Sequence, residues 1–282
     1  MNKNVFSVKL STGAREVDIH VAFGEGLAIV GLNDSGKSEI LKNIAKKGKG
    51  VTYRGVGGAL QKSEQDLFNL EVGYAKIDKR LRSELVKNVL QRASAYYEML
   101  AGEVAGIIDL PEKYWTKAVG ALPLFLQNRL ALIDAMSAGH TVILIDDVFG
   151  LDQKLKDKIT AFLVKAGKKP LTYIIATVDL AFANLCAKTV IIDDGRAVEW
   201  GKTSRVLKAP AHPYSAWLVD LSKKGKSGIA WHKSVGKPKK RACKYATVCP
   251  FADGRCYRES PLFSPYTTSE YTSCFRVEMG KN

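Results

Sequence analysis

The sequence predicts an α/β fold built on a parallel sheet, and three observations carry that prediction. Short β-branched runs alternate with helical stretches. A glycine-rich loop stands between a strand and a helix. Apolar residues make up 46% and charged residues 25% of the 282 residues, which is ordinary globular composition and ample length for a buried core. A mainly disordered or collagen-like chain is excluded. No apolar run reaches the ~18 residues that a bilayer span needs. Met1 to Leu10 lacks the apolar run of a secretion signal, so the chain is expected in the cytosol.

Gly26 to Val30 is a short apolar strand. Gly31, Leu32, Asn33, Asp34, Ser35, Gly36, Lys37 and Ser38 follow it and fit G-x-x-x-x-G-K-[ST], with a helix expected over Glu39 to Ala45. Glycines let such a loop curl so that its N–H groups face phosphate oxygens, and the helix N-terminus adds positive potential. Lys37 would reach the β- and γ-phosphates, and Ser38 would bind Mg²⁺. Asp34 stands where a small residue is usual, and Glu39 where a hydroxyl would face the α-phosphate. Either carboxylate opposes a nearby anion unless it turns to solvent.

Leu81, Leu85, Val89, Ala93, Tyr96, Tyr97 and Leu100 recur at helical spacing, with a break at Pro111. They predict a helical subdomain over about 62–121. Thr141 to Ile145, Thr172 to Ala176 and Thr189 to Ile192 are apolar and β-branched, as interior parallel strands are. Asp193-Asp194-Gly195-Arg196 is a turn into an antiparallel strand, Ala197 to Trp200. The expected organisation is a nucleotide-binding domain over 1–222, a basic Gly/Lys-rich linker over 223–242 and a small four-cysteine module over 243–282.

The formal net charge is +15, and from residue 223 onward 13 Lys/Arg face 4 Asp/Glu. Such a tail is a solvated linker, or it suits nucleic acid, an anionic leaflet or an acidic partner. It lacks aromatics interleaved at stacking spacing, which argues against nucleic acid. Cys243, Cys249, Cys256 and Cys274 cluster near the end, while Cys186 stands apart in an apolar stretch as an inert thiol. In a cytosolic chain, clustered cysteines point to metal or redox chemistry. Four thiolates suit [4Fe–4S] or tetrahedral zinc, and the spacing C-x5-C-x6-C-x17-C lacks the paired C-x2-C knuckles of most zinc sites.

Val142 to Asp147 is an apolar strand ending in two carboxylates, like a Walker B segment. Asp146 would hold Mg²⁺ through water, and Asp147 would lie nearest the water that attacks the γ-phosphate. With these motifs the chain resembles the ATP-binding subunits of ABC transporters over nearly its whole length. Arg54 to Gln61 looks like the strand into the Q-loop, with Gln61 as its glutamine and a further Mg²⁺ ligand. Leu122 to Arg129 falls where the family has LSGGQ-x-Q-R, and Phe149-Gly150-Leu151-Asp152 resembles the D-loop. Ala209 to Ser215 (APAHPYS) resembles a segment of the oligopeptide, dipeptide and nickel importer ATPases. Those subunits carry a C-terminal four-cysteine module that can bind an iron–sulfur cluster, and this tilts the expectation from zinc to iron–sulfur.

The resemblance implies an ABC-type P-loop NTPase domain that binds ATP and Mg²⁺ on the cytoplasmic side of the membrane. Its partners would be a second ATPase subunit in a heterodimer, membrane permeases and, indirectly, a substrate-binding protein. Three positions depart from the family. Pro123-Leu124-Phe125-Leu126 replaces Ser-Gly-Gly-Gln, so an N–H is lost and bulky side chains block close backbone approach. Asp147 replaces the catalytic glutamate, and Val178 replaces the switch histidine. These losses imply a subunit that binds ATP and hydrolyses it poorly. The alternatives are a fully active ATPase of the same kind and a soluble ABC-type protein acting on nucleic acid.

Overall fold

The computed structural model describes residues 5–11, 16–22, 24–46, 51–53, 72–146, 155, 157–159, 161–162, 171–224 and 241–278. The chain begins with strands β1 (Val5–Ser11), β2 (Glu16–Ala22) and β3 (Gly26–Val30), followed by helix α1 (Lys37–Ala45). Strands β4 (Val51–Tyr53) and β5 (Val72–Ala75) lead to helices α2 (Lys79–Ser83), α3 (Val86–Tyr97), α4 (Ala101–Ile107) and α5 (Leu124–Ser137). Next come β6 (Val142–Asp146), β7 (Thr172–Thr177), α6 (Leu180–Ala183), β8 (Lys188–Asp193) and β9 (Arg196–Lys202). Helices α7 (Thr203–Lys208) and α8 (Pro213–Lys224), strands β10 (Ser264–Pro265) and β11 (Tyr271–Thr272), and helix α9 (Phe275–Glu278) complete the order.

The chain divides into two compact units. The first contains Met1–Ser7, His20–Gly26 and Leu41–Ala176. Here β5, β6 and β7 run parallel, with Ala75 opposite Ile145 and Asp146 opposite Ala176. Val142, Ile143, Leu144 and Ile145 are buried, as expected of strands covered on both faces. The Asp78 carboxylate caps α2 by accepting the Leu81 N–H at 2.8 Å. Val86, Val89, Leu90 and Ala93 form the buried stripe of α3. Arg80 and Arg92 each pair with both Glu84 and Asp134, which ties α2, α3 and α5 together at the surface.

The helical subdomain expected from about residue 62 has a strand inside its boundary. Residues 72–75 pair along β6 over four positions. Gly73 and Ala75 face inward and Val72 and Tyr74 are half-buried, a period of two that a four-residue run shows only weakly.

The second unit contains Val8–Ile19, Leu27–Ile40 and Thr177–Asn282. Its strand order is β10-β11-β9-β8-β3. Strands β3 and β8 are parallel, and β8 and β9 are antiparallel with a register shift at Ile191/Ile192. The expected turn and returning strand at 193–200 are therefore present. The cysteine segment, expected as a separate module, is joined to this sheet: Tyr271 and Thr272 pair antiparallel with Trp200 and Glu199.

That junction buries Glu199 completely. Its carboxylate accepts the N–H groups of Ala211 at 2.9 Å and His212 at 3.0 Å, and the Tyr266 hydroxyl at 3.3 Å. Burial nevertheless raises its pKa, because these bonds only partly replace lost hydration. His212 is also buried, and desolvation pushes its pKa down to about 4, so the ring is neutral. Its Nδ1 accepts the Tyr214 N–H at 3.0 Å, which places the ring proton on Nε2. The His-Pro-Tyr segment is thus a buried polar plug that seats the start of α8.

Candidate nucleotide site

The phosphate loop joins β3 to α1, as its sequence requires. Gly31 N–H donates to the Thr177 carbonyl at 3.3 Å, and Ser35 N–H to the Leu32 carbonyl at 3.2 Å. Asp34 (φ +61°) and Gly36 (φ +92°) both adopt the left-handed region, which curls the loop. Gly36 has a second constraint, since a Cβ there would lie 3.0 Å from Gly195 Cα. Lys37 is only 8% exposed, and its Nζ donates to the Leu32 carbonyl at 2.6 Å and to Ser35 Oγ at 3.3 Å. The ammonium is therefore held against the loop that phosphates would enter. Leu32, Asn33, Asp34 and Glu39 are exposed, and Ser38 is half-buried at the first turn of α1.

Val178 directly follows Thr177, whose carbonyl holds Gly31, so it stands at the foot of the loop. Its side chain is 45% exposed and carries no hydrogen-bonding group. Asp179 instead caps α6, accepting the Ala181 N–H at 2.7 Å.

In the first unit, Asp146 ends β6 half-buried and accepts a hydrogen bond from Tyr74 Oη at 3.3 Å. The strand beside β6 is β5, which ends before Lys76; Lys76 Nζ lies 5.7 Å from the Tyr74 ring centroid. Gln61, Asp147 and Phe149 to Asp152 lie outside the described residues. Sequence reasoning missed Tyr74 and Lys76, whose signal was the short alternating run Val72 to Ala75. At the LSGGQ-like position, Pro123 precedes α5, and Leu124 and Phe125 are 62% and 45% exposed. Gln127 points inward and donates to the Leu122 carbonyl at 2.7 Å.

Cys186 is buried and its pKa is raised by desolvation, as an inert thiol should be. The other four thiols influence one another. Burial, then the neighbouring Cys256 and Cys249, push Cys243 up to about 11. Burial, then Cys243, Cys249 and Cys256, push Cys274 up to about 12. Cys243 N–H donates to the Cys256 carbonyl at 2.8 Å. Among the described residues, no three His, Cys, Asp or Glu side chains stand at metal-ligand spacing.

The fold is that of the nucleotide-binding domains of ABC-type ATPases. The structure of cbiO1 from Clostridium perfringens matches with a TM-score of 0.54 at 18% identity, covering 74% of this chain and 92% of that one. The family profile "Oligopeptide/dipeptide transporter, C-terminal region" matches residues 198–258. The oligopeptide transport ATP-binding protein OppD of Salmonella typhimurium is 24% identical, over 94% of this chain and 88% of its own length. The probable D,D-dipeptide transport ATP-binding protein DdpF of Escherichia coli is 25% identical, over 72% and 68%. The chain is thus similar to ATP-binding subunits of the oligopeptide/dipeptide transporters. No described helix is long and apolar enough to cross a membrane.

Proposed function

We propose that this chain is the ATP-binding subunit of an importer for peptides or a similar small solute. It docks on membrane permeases from the cytoplasmic side and pairs with a second, more competent ATPase subunit. A substrate-binding protein meets it only through the permeases. The observation that carries this reading is the match at residues 198–258, which contains the His212–Tyr214 plug.

Mg-ATP binds through Gly31 to Ser38. Lys37, already seated in the loop, exchanges the Leu32 carbonyl for phosphate oxygens, and the N-terminal turn of α1 adds positive potential. Bound Mg²⁺ would neutralise phosphate charge, with Ser38 as a protein ligand. Hydrolysis at this site is slow. Asp147 is one methylene shorter than glutamate, and a displacement of about 1 Å in a reacting group can cost ~10²-fold. Val178 offers no hydrogen bond to a γ-phosphate, and Leu124 and Phe125 hinder close approach to a partner's nucleotide.

Cys243, Cys249, Cys256 and Cys274 hold one [4Fe–4S] cluster, with four-thiolate zinc as the alternative. When bound, the metal crosslinks a segment whose buried apolar side chains are few, among them Ala246, Phe263 and Phe275.

Titration of the full chain with Mg-ATP tests the core of this reading. Lys37→Ala removes a charge-assisted contact of about 1.5–3 kcal/mol, which corresponds to ~10- to 150-fold weaker binding. An unchanged affinity means that the loop is not used.

A further inference from the structure

The hairpin between β8 and β9 touches the phosphate loop on one side and the cysteine segment on the other, all within the second unit. Towards the loop, Gly195 N–H donates to the Ser35 carbonyl at 2.7 Å. The contact is close, because a Cβ at Gly36 would lie 3.0 Å from Gly195 Cα and 3.1 Å from its nitrogen. Towards the cysteines, the Asp193 carboxylate accepts Tyr245 Oη at 2.8 Å and pairs with Lys244 Nζ at 2.8 Å. Lys244 also reaches Asp194 at 3.3 Å, and Tyr214 Oη donates to Asp193 at 3.4 Å. The Tyr245 ring stacks on Tyr214 at 5.3 Å and meets His212 edge-on at 5.1 Å. Lys244 and Tyr245 directly follow Cys243, which is tied to Cys256 through its backbone.

This hairpin has little slack. Asp194 (φ +53°) and Gly195 (φ +71°) are both left-handed, the geometry of a tight two-residue turn.

We propose that Lys244 and Tyr245 are positioning residues for the nucleotide site: by gripping Asp193 they set the Asp193–Gly195 turn, and through Gly195 they hold the Ser35–Gly36 peptide in its phosphate-binding curl. The cysteine segment is then a clamp on the phosphate loop, and its integrity sets nucleotide affinity. Linkage makes the effect reciprocal, so nucleotide in the loop steadies the cysteine segment. The proposal rests on the reading of Gly31 to Ser38 as an ATP site, and it adds the chain of contacts that controls that site.

Two measurements on the full chain test it. The first is hydrogen–deuterium exchange of peptides spanning 31–38 in Tyr245→Phe, Lys244→Met and Lys244→Arg, without nucleotide. Exchange at 31–38 should rise at least ~3-fold in Tyr245→Phe and Lys244→Met, fall back in Lys244→Arg, and stay at the wild-type rate in peptides from 79–137. The second is Mg-ATP titration, where the same two variants should bind about 5-fold more weakly and Lys244→Arg should recover. The first measurement also has a wild-type arm that needs no variant to fold: Mg-ATP should slow exchange in peptides from 241–258 by a similar factor. Variants that loosen 193–195 while leaving exchange at 31–38 and ATP affinity at wild-type values overturn the proposal. If the wild type does not bind Mg-ATP, the functional reading fails, and exchange at 31–38 alone decides the clamp.

Discussion

Asp34 is the residue of the phosphate loop whose side chain and backbone both work against its task. Its φ of +61° places it in the left-handed region, where a non-glycine residue costs roughly 1 kcal/mol, less for Asp and Asn than for most. Its carboxylate is exposed on the loop proposed to bind Mg-ATP. Two substitutions separate the effects. Asp34→Asn keeps the left-handed tolerance and removes the charge; Asp34→Gly removes both charge and strain. A carboxylate about 8 Å from a net charge of −2, as on Mg-ATP, is opposed by about 1 kcal/mol in a water-like medium. That corresponds to ~5-fold in affinity. Salt at ~0.15 M, with a screening length near 8 Å, removes most of this. Calorimetric titration of Mg-ATP should therefore show Asp34→Asn tighter by about 5-fold at low salt and by less than about 2-fold at physiological salt. Folding stability should change little in Asp34→Gly, because relief of strain is offset by glycine's larger unfolded-state entropy, roughly 0.5–1 kcal/mol. If Asn leaves low-salt affinity unchanged while Gly tightens binding, the penalty lies in the backbone and the electrostatic reasoning is wrong.

Further outcomes follow from the same geometry. In an assembled transporter, Asp147→Asn should remove only a minor part of ATP turnover, and the matching change in the partner most of it; the reverse result would make this chain the working ATPase. His212, held at about 4 in the fold against ~6.5 unfolded, stays neutral where the unfolded chain protonates first. Its stabilisation is complete above about pH 6.5 and is lost as the pH falls towards 4, so urea unfolding should show the wild-type advantage over His212→Gln shrinking by up to about 3 kcal/mol across that window. Glu199, whose raised pKa acts in the opposite sense, is present in both proteins and cancels. Anaerobic purification should give brown protein with iron and labile sulfide in equal amounts, about four each for a [4Fe–4S] site. Stoichiometric zinc without sulfide would replace that assignment, and absence of both metals would remove it.

Much of the fold was legible because its signals are local. The strand–loop–helix around Gly31 to Ser38 needs only eight consecutive residues to specify its curl. Val142 to Ile145 and Thr189 to Ile192 are apolar enough to announce burial on both faces. Asp194-Gly195 is a tight-hairpin signal in any context. The strand at 72–75 was hidden because four residues give barely two periods, and only its pairing with β6 distinguishes it from the helical stretch that follows.

The unread part of the site depends on contacts between distant segments. Glu199 interrupts an apolar strand, and in sequence it reads as a solvent-facing residue between Val198 and Trp200. It is buried because Thr272 pairs across from it and because Ala211, His212 and Tyr266 bring donors. None of those partners can be inferred from its neighbours. The same holds for Lys244 and Tyr245, which read as members of a basic tail and a cysteine spacer. Their meaning is fixed by one carboxylate, Asp193, 52 residues from Tyr245 in the chain. A charge run carries information about function only once its counter-charge has been located. Here that counter-charge sits on the turn whose next N–H but one holds the phosphate loop.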